Sequence, residues 1–309
     1  MKLPVVIGSG SWGTALSIIL AKRFDRVLLF ARNQEKAARI ERDRESSSLS
    51  GIRLSENIFC TGNLADVKAA DLIIIATPAQ AMRETLIKLQ PYFTKDISVI
   101  ITSKGIEQET HLFMSEVLKQ VLPNVEPFLL SGPSFARDVA HDLPTAVTLA
   151  GTSLKRAANL SGLLTTKNFR IYPSDDMRGV EFGGSAKNVL AIACGIAEGL
   201  HLGDSARAAL ITRGFAELVR MGVALGAKKD TLFGLSGLGD LLLTGSSRQS
   251  RNFSLGLRLA QQDFSDRPEQ GISEGAWTCP VLVAMARKLG VDMPVVDAVS
   301  NVLLANVIA

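Results

Sequence analysis

Cysteine and histidine are scarce in this chain, with three of each among 309 residues. Cys60, Cys194 and Cys279 are too scattered for a disulfide framework or a zinc knuckle, which points to a reducing compartment and to packing roles. His111, His141 and His201 fit no metal-ligand spacing, so no metal site is expected. Cys194 stands among Ala191, Ile192, Ala193 and Ile196 with no activating base nearby, which argues against a thiol nucleophile. No run of 18 or more apolar residues occurs, so no membrane span is expected. The apolar stretch after Lys2 superficially resembles a signal peptide, but Gly8, Gly10 and Gly13 punctuate it as a strand, a turn and a helix. A cytoplasmic protein is therefore expected. Internal repeats, low-complexity segments and a Gly/Ser-rich linker are also missing, although Ser46 to Ser50 reads as a mobile loop. The formal net charge of +4 is not gathered into basic blocks, which favours small phosphorylated ligands over nucleic acid.

What is present is a chain with 47% hydrophobic and 21% charged residues, near two average domains in length. Short β-branched runs recur at Pro4 to Ile7, Val27 to Ala31, Asp71 to Thr77, Ile97 to Thr102, Pro127 to Ser131 and Thr145 to Ala150. Helical patterns lie between several of them, at Gly13 to Arg23, Ala79 to Leu89 and Thr110 to Leu122. The alternation predicts an α/β fold whose N-terminal part is a Rossmann-type, doubly wound parallel sheet over residues 1–178. From 179 to 309 the texture turns rich in Ala, Leu and Gly and predicts an all-helical second domain. Its expected helices are Gly179 to Leu200, Ser205 to Leu225, Arg251 to Gln261, Glu274 to Leu289 and Val295 to Val307, with Gly226, Gly290 and Pro294 as breakers. The two halves are expected to pack tightly with a cleft between them. The apolar segment Val295 to Ile308 would complete the core or make a homodimer interface.

The segment Val5-Val6-Ile7-Gly8-Ser9-Gly10-Ser11-Trp12-Gly13 places a GxGxxG between an apolar strand and a helix. In that context Gly8 permits the tight turn, Gly10 admits a pyrophosphate to the backbone and Gly13 lets the helix approach its strand. The free N–H groups and positive dipole end of the helix then face the phosphates. An acidic residue at the end of the second strand would grip the ribose of NAD. Here Val27-Leu28-Leu29-Phe30-Ala31 runs into Arg32-Asn33, and the first carboxylate is Glu35. Arg32 suits a 2′-phosphate, so NADP is favoured or at least accepted beside NAD.

Five further motifs follow in order: Ser103-Lys104-Gly105, Ser131-Gly132-Pro133-Ser134-Phe135-Ala136, Gly184-Ser185-Ala186-Lys187-Asn188, Gly237-Leu238-Gly239-Asp240 and Ser250-Arg251-Asn252. Together with the glycine turn they resemble the bacterial NAD(P)-dependent glycerol-3-phosphate dehydrogenases from about residue 4 to about residue 300. The resemblance implies a helical half like the C-terminal domain of the 6-phosphogluconate dehydrogenase group. It also implies reduction of dihydroxyacetone phosphate to sn-glycerol 3-phosphate for glycerophospholipid synthesis. By the same resemblance Ser11, Trp12, Arg32, Lys104, Ala136, Arg251, Ile272 and Glu274 would line the cofactor. Lys104, Gly132, Ser134, Lys187, Asp240, Ser250, Arg251 and Asn252 would face the substrate. Ser48-Leu49-Ser50-Gly51 departs from the family, which often carries an aromatic residue followed by Leu-Pro-Gly there.

Ketone reduction needs a hydride donor, an acid for the developing alkoxide and anchors for the rest of the substrate. Lys187 lies in a largely apolar helical stretch, where desolvation lowers its pKa and eases proton donation. Gly184, Lys187, Asn188 and Ala191 share one helical face. Lys104 follows a strand, in the usual ligand crevice of an open sheet, and would stabilise negative charge on the carbonyl oxygen. Asp240, in a glycine-rich turn, would pair with a lysine or cap a helix. Arg251 with Ser250 and Asn252 suits a phosphate. Two other readings remain: a related hydroxyacid or ketopantoate-type reductase, and a non-catalytic NADP-sensing protein, against which Lys187 and Asp240 speak.

Overall fold

A computed structural model describes residues 3–93, 97–262 and 273–307. The chain divides into two compact units, one of residues 1–103 and 114–177, the other of residues 104–113 and 178–309.

The first unit carries strands β1 (Pro4–Ile7), β2 (Val27–Phe30), β3 (Ile58–Thr61), β4 (Leu72–Ile75), β5 (Ser98–Ile101), β6 (Glu126–Ser131), β7 (Thr145–Gly151) and β8 (Phe169–Ser174). They form one sheet in the order β3-β2-β1-β4-β5-β6-β7-β8. Every residue of β1, β2 and β4 is buried, as expected of parallel strands covered on both faces. Val5 of β1 stands opposite Leu28 on one side and Ile73 on the other, so the strand order reverses about β1. That reversal is where open α/β sheets bind ligands, beyond the carboxyl ends of the strands. Its helices are α1 (Ser11–Ala21), α2 (Gln34–Asp43), α3 (Met82–Leu89), α4 (Met114–Val121), α5 (Ala136–Ala140) and α6 (Leu154–Leu164). Leu16 and Ile19 of α1 pack with Val6, Leu29 and Ile74 of the sheet in the core of this unit.

Three local features differ from the sequence expectation. The sheet is parallel except at β6 and β7, which pair antiparallel with Phe128 opposite Gly151. The helix expected from Thr110 begins only at Met114. Thr110 instead donates its hydroxyl to Glu107 and accepts from Leu112 N at 3.3 Å, side-chain bonds that compete with a helix, and His111 sits at φ 59°. The segment 46–50, expected as a loop, contains a turn of 3₁₀-helix at Ser47–Leu49, with Ser46 and Leu49 buried.

The second unit carries α7 (Met177–Gly199), α8 (Gly203–Ala224), α9 (Lys229–Phe233), α10 (Asp240–Thr244), α11 (Arg251–Gln261), α12 (Glu274–Leu289) and α13 (Pro294–Val307). Pro294 opens α13, where its missing N–H leaves no bond unmade. Among the described residues no helix is long and apolar enough to cross a membrane. Helix α7 is buried nearly all round, so it forms the centre of this unit rather than an amphipathic face. Its crossing with α11 is a backbone contact: a Cβ on Gly195 would meet Phe253 O at 2.0 Å, and one on Gly256 would meet Ile192 O at 2.1 Å. Only glycine fits on either side, and this approach fixes the N-terminus of α11 beside α7. Gly256→Ala is therefore expected to destabilise the protein by about 3 kcal/mol in urea unfolding. Gly162→Ala, on the exposed side of α6 with nothing within 4 Å of the new methyl, is expected to stabilise it by about 0.5–1 kcal/mol. Equal effects at the two sites would show that the crossing is not close-packed.

Candidate active site

In the first unit the turn after β1 has the geometry of an anion cradle. Gly8 adopts φ +117°, and a Cβ there would lie 2.7 Å from Ala76 O; a Cβ on Gly13 would lie 1.8 Å from Gly8 O. Gly10, by contrast, has nothing within 4 Å of a Cβ, so the space beside it is open to a ligand. Gly10 also stands at the N-cap of α1, which has no side-chain cap and no acidic residue in its first turn. Free amides, a positive dipole end and an open approach together fit the pyrophosphate of a dinucleotide. Ser11 Oγ donates to Ser48 O at 2.5 Å. The Trp12 indole N–H is buried with no partner among the described residues. Arg32 is exposed just beyond β2. Gly132 adopts φ +151° against Val147, Ser134 Oγ donates to Gly132 O at 3.0 Å, and Ala136 opens α5.

In the second unit a buried carboxylate joins two ammonium groups. Lys187 Nζ donates to Asp240 Oδ1 at 2.9 Å, and Lys104 Nζ donates to Asp240 Oδ2 at 2.6 Å. Lys187 also donates to Thr244 Oγ1 at 2.6 Å, and that hydroxyl donates onward to Asp240 O at 2.5 Å. Lys187 is 6% exposed and Asp240 2%, so neither charge is appreciably hydrated. Burial pushes Lys187 down to about 8, opposed by the attraction of Asp240 and aided by the repulsion of Lys104. Burial pushes Asp240 up, yet Lys104 and Lys187 together hold it below the ordinary aspartate value. The cluster carries a net charge of one positive unit and contains a lysine able to shed a proton near neutral pH. It suits protonation of a nascent alkoxide.

The fold explains how these residues meet. Lys187 projects from α7, while Lys104 lies in the short 104–113 segment, which Ser185 Oγ ties to α7 by donating to Gly105 O at 3.2 Å. Asp240 does not sit in a loose glycine turn: one turn of π-helix at Leu235–Gly239 leads into α10, of which Asp240 is the first residue. Its carboxylate faces the lysines and caps nothing. Thr244 was not singled out from the sequence, although its i, i+4 spacing from Asp240 on a helix would have placed the two side by side.

Ser250, Arg251 and Asn252 form the entry to α11. Ser250 Oγ caps that helix by accepting from Phe253 N at 3.3 Å. Asn252 donates to Asn188 Oδ1 at 2.9 Å and accepts from Gly275 N at 2.9 Å. The two neutral side chains thus position the helix terminus next to the residue following Lys187, and Arg251 remains exposed. Glu274 opens α12 and is half-buried; Ile272 lies outside the described residues. Cys194 is buried, and burial raises its thiol to about 11.

Comparison with known proteins accords with this geometry. Residues 5–157 match the family model described as NAD-dependent glycerol-3-phosphate dehydrogenase N-terminus, and residues 176–308 match its C-terminus. A glycerol-3-phosphate dehydrogenase [NAD(P)+] of Bradyrhizobium diazoefficiens is 50% identical over 298 residues, covering 96% of this chain and 91% of that protein. One of Erythrobacter litoralis is 49% identical over 304 residues, covering 96% and 91%. The crystal structure of glycerol-3-phosphate dehydrogenase from Coxiella burnetii superposes with a TM-score of 0.91 at 35% identity, covering 99% of this chain and 95% of that one. A ketopantoate reductase from Ralstonia eutropha, at 15% identity and TM-score 0.65 over 99% and 98% of the two chains, shares the fold alone.

Asp240→Asn would leave two lysines facing a neutral amide. It is expected to lower stability to urea by about 3 kcal/mol at pH 7. The loss should shrink above pH 8, where Lys187 of the unaltered protein gives up its own charge. Unchanged stability at pH 7 would mean that the ion pairs contribute nothing.

Proposed function

The chain belongs to the NAD-dependent glycerol-3-phosphate dehydrogenase family, and from that premise we propose that it reduces dihydroxyacetone phosphate to sn-glycerol 3-phosphate, with Lys187 exchanging the proton. The turn after β1 would hold NADPH or NADH, which would supply a hydride for the central carbon of the substrate.

The observation that carries this reading is the buried cluster of Lys187, Asp240 and Lys104. As the carbon–oxygen π bond breaks, its electron pair settles on the oxygen, and Lys187 Nζ passes a proton to it. Asp240 and Thr244 hold two of the three ammonium protons, which leaves one for the substrate. Lys104 stabilises the developing negative charge, and Asp240 stays ionised throughout. In the reverse direction neutral Lys187 takes the hydroxyl proton back. Arg251 and the first amides of α11 bind the substrate phosphate, with Ser250 and Asn252 shaping that terminus. Gly132 and Ser134 complete the substrate contacts. Gly8, Gly10, Ser11, Trp12, Gly13, Arg32, Ala136, Ile272 and Glu274 hold the dinucleotide, with Lys104 and Arg251 serving both ligands. In functional terms residues 1–178 bind the cofactor and residues 179–309 bind substrate and catalyse.

The product suits glycerophospholipid synthesis, and the free thiols of Cys60, Cys194 and Cys279 suit the cytoplasm. A homodimer belongs to the same reading. It is supported by an apolar hollow of about 530 Å³ in the helical unit, lined among others by Leu202, Leu210, Val295 and Val302. Sedimentation should show twice the chain mass.

Lys187→Met keeps the length and apolar packing of the side chain but removes its proton. It is expected to cut kcat with dihydroxyacetone phosphate by about 100-fold or more, with cofactor affinity nearly unchanged and the fold retained. A kcat within about threefold of the parent corresponds to under about 1 kcal/mol and would defeat the assignment. In the unaltered enzyme, reduction should fall as pH rises through about 8, and oxidation of glycerol 3-phosphate should rise through the same range.

A further inference from the structure

Helix α2 carries a lysine that neither the glycine turn nor the reaction accounts for. Asn33 caps this helix by accepting from Lys36 N at 2.8 Å, so Lys36 sits in the first turn, close in sequence to Arg32. Lys36 Nζ donates to Ser9 O at 3.0 Å and to Ser48 Oγ at 3.2 Å. Ser9 lies between Gly8 and Gly10, so the ammonium is fastened to the phosphate-binding turn itself. Both acceptors are neutral, and the ammonium has three protons to give. Among the described residues no carboxylate forms an ion pair with Lys36, whereas Asp43 feels the charge of Arg39, one helical turn beyond Lys36, and Glu84 feels that of Arg32. Burial, and then the charge of Arg39, push Lys36 below the ordinary lysine value.

An amide side chain could tie α2 to the turn without the cost of desolvating a charge beside another cation. A half-buried ammonium without a counterion is a device for an anion. The pyrophosphate is served by the amides at the N-terminus of α1. The adenosine ribose of a dinucleotide lies at the carboxyl end of β2, from which Arg32 and Lys36 follow.

We propose that Lys36 is a second cation of a 2′-phosphate subsite, a fixed point charge that complements the exposed Arg32 fork and favours NADPH over NADH. The proposal rests on the reading of the turn as a dinucleotide site. Arg32, being exposed, is free to close on a phosphate, whereas Lys36 is already in place. The phosphate dianion would meet one preorganised and one adaptable partner.

Direct binding tests this without the reaction. Kd values for NADPH, NADH, adenosine 2′,5′-bisphosphate and 5′-AMP are measured by calorimetry on the unaltered enzyme, Lys36→Met and Lys36→Arg, with melting temperatures recorded for each. Lys36→Met is expected to weaken NADPH and the bisphosphate by about tenfold or more, while NADH and 5′-AMP stay within about twofold. Lys36→Arg should retain most of the preference. Equal losses for NADPH and NADH would overturn the proposal, because Lys36 would then serve the pyrophosphate or merely hold the turn together. An unchanged Kd for NADPH would overturn it as well. Failure of the unaltered enzyme to bind either dinucleotide would instead overturn the reading of the turn, and the proposal with it.

Discussion

A single carboxylate held between two ammonium groups sets the terms for the helical unit. Burying Lys187 and Asp240 almost completely costs several kcal/mol per ion, and only mutual attraction with good hydrogen bonding offsets it. Each oxygen of Asp240 accordingly receives a lysine, and Thr244 takes a further proton of Lys187. To create so dry a place, α7 is apolar and rich in small residues, close enough to its neighbours for backbones to touch at Gly195 and Gly256. A turn of π-helix then delivers Asp240 as the first residue of α10, where its side chain is spent on charge instead of on a cap. The chemistry follows from the imbalance. Two positive charges against one negative leave the cluster with the excess charge that the proposed stabilisation of an alkoxide needs.

The sheet unit solves a different problem with the same economy of groups. The dinucleotide site proposed there is made chiefly of backbone: glycines at the strand-to-helix turn, an uncapped helix N-terminus and open space at Gly10. Side-chain charge is confined to the end of β2 and the start of α2, where Arg32 and Lys36 stand. Other cations, such as Lys22, Lys88 and Arg207, pair with carboxylates at the surface, and the net charge is only +4.

The sequence made the main architecture legible because buried parallel strands are nearly pure aliphatic runs, as in Val5 to Ile7 and Leu72 to Ile75. Edge and late elements were harder. In β3 only Ile58 is deeply buried, so no period stands out, whereas β8 alternates buried Phe169 and Ile171 with exposed Arg170 and Tyr172, a period-two signal over four residues only. Helix α2 buries only Ala37 and Ile40 among many charges, which hid both the helix and the lysine it carries. Lys104, Lys187 and Asp240 were each recognisable by local motif. Their convergence on one carboxylate rests on contacts between positions 136 and 53 residues apart, which local patterns do not encode. The side chains of Ser250 and Asn252 read as phosphate ligands, but the fold also engages them in fixing the start of α11.

The central claim is that burial, aided by the repulsion of Lys104 and only partly offset by the attraction of Asp240, makes Lys187 a proton donor near neutral pH. Its most direct test is titration of the lysine side chains by carbon-13 NMR in the unliganded enzyme, with the Lys187 resonance assigned by its loss in Lys187→Met. A midpoint near 8 is expected, with the signal responding to Asp240→Asn. A midpoint at the ordinary lysine value of about 10.4 would contradict it.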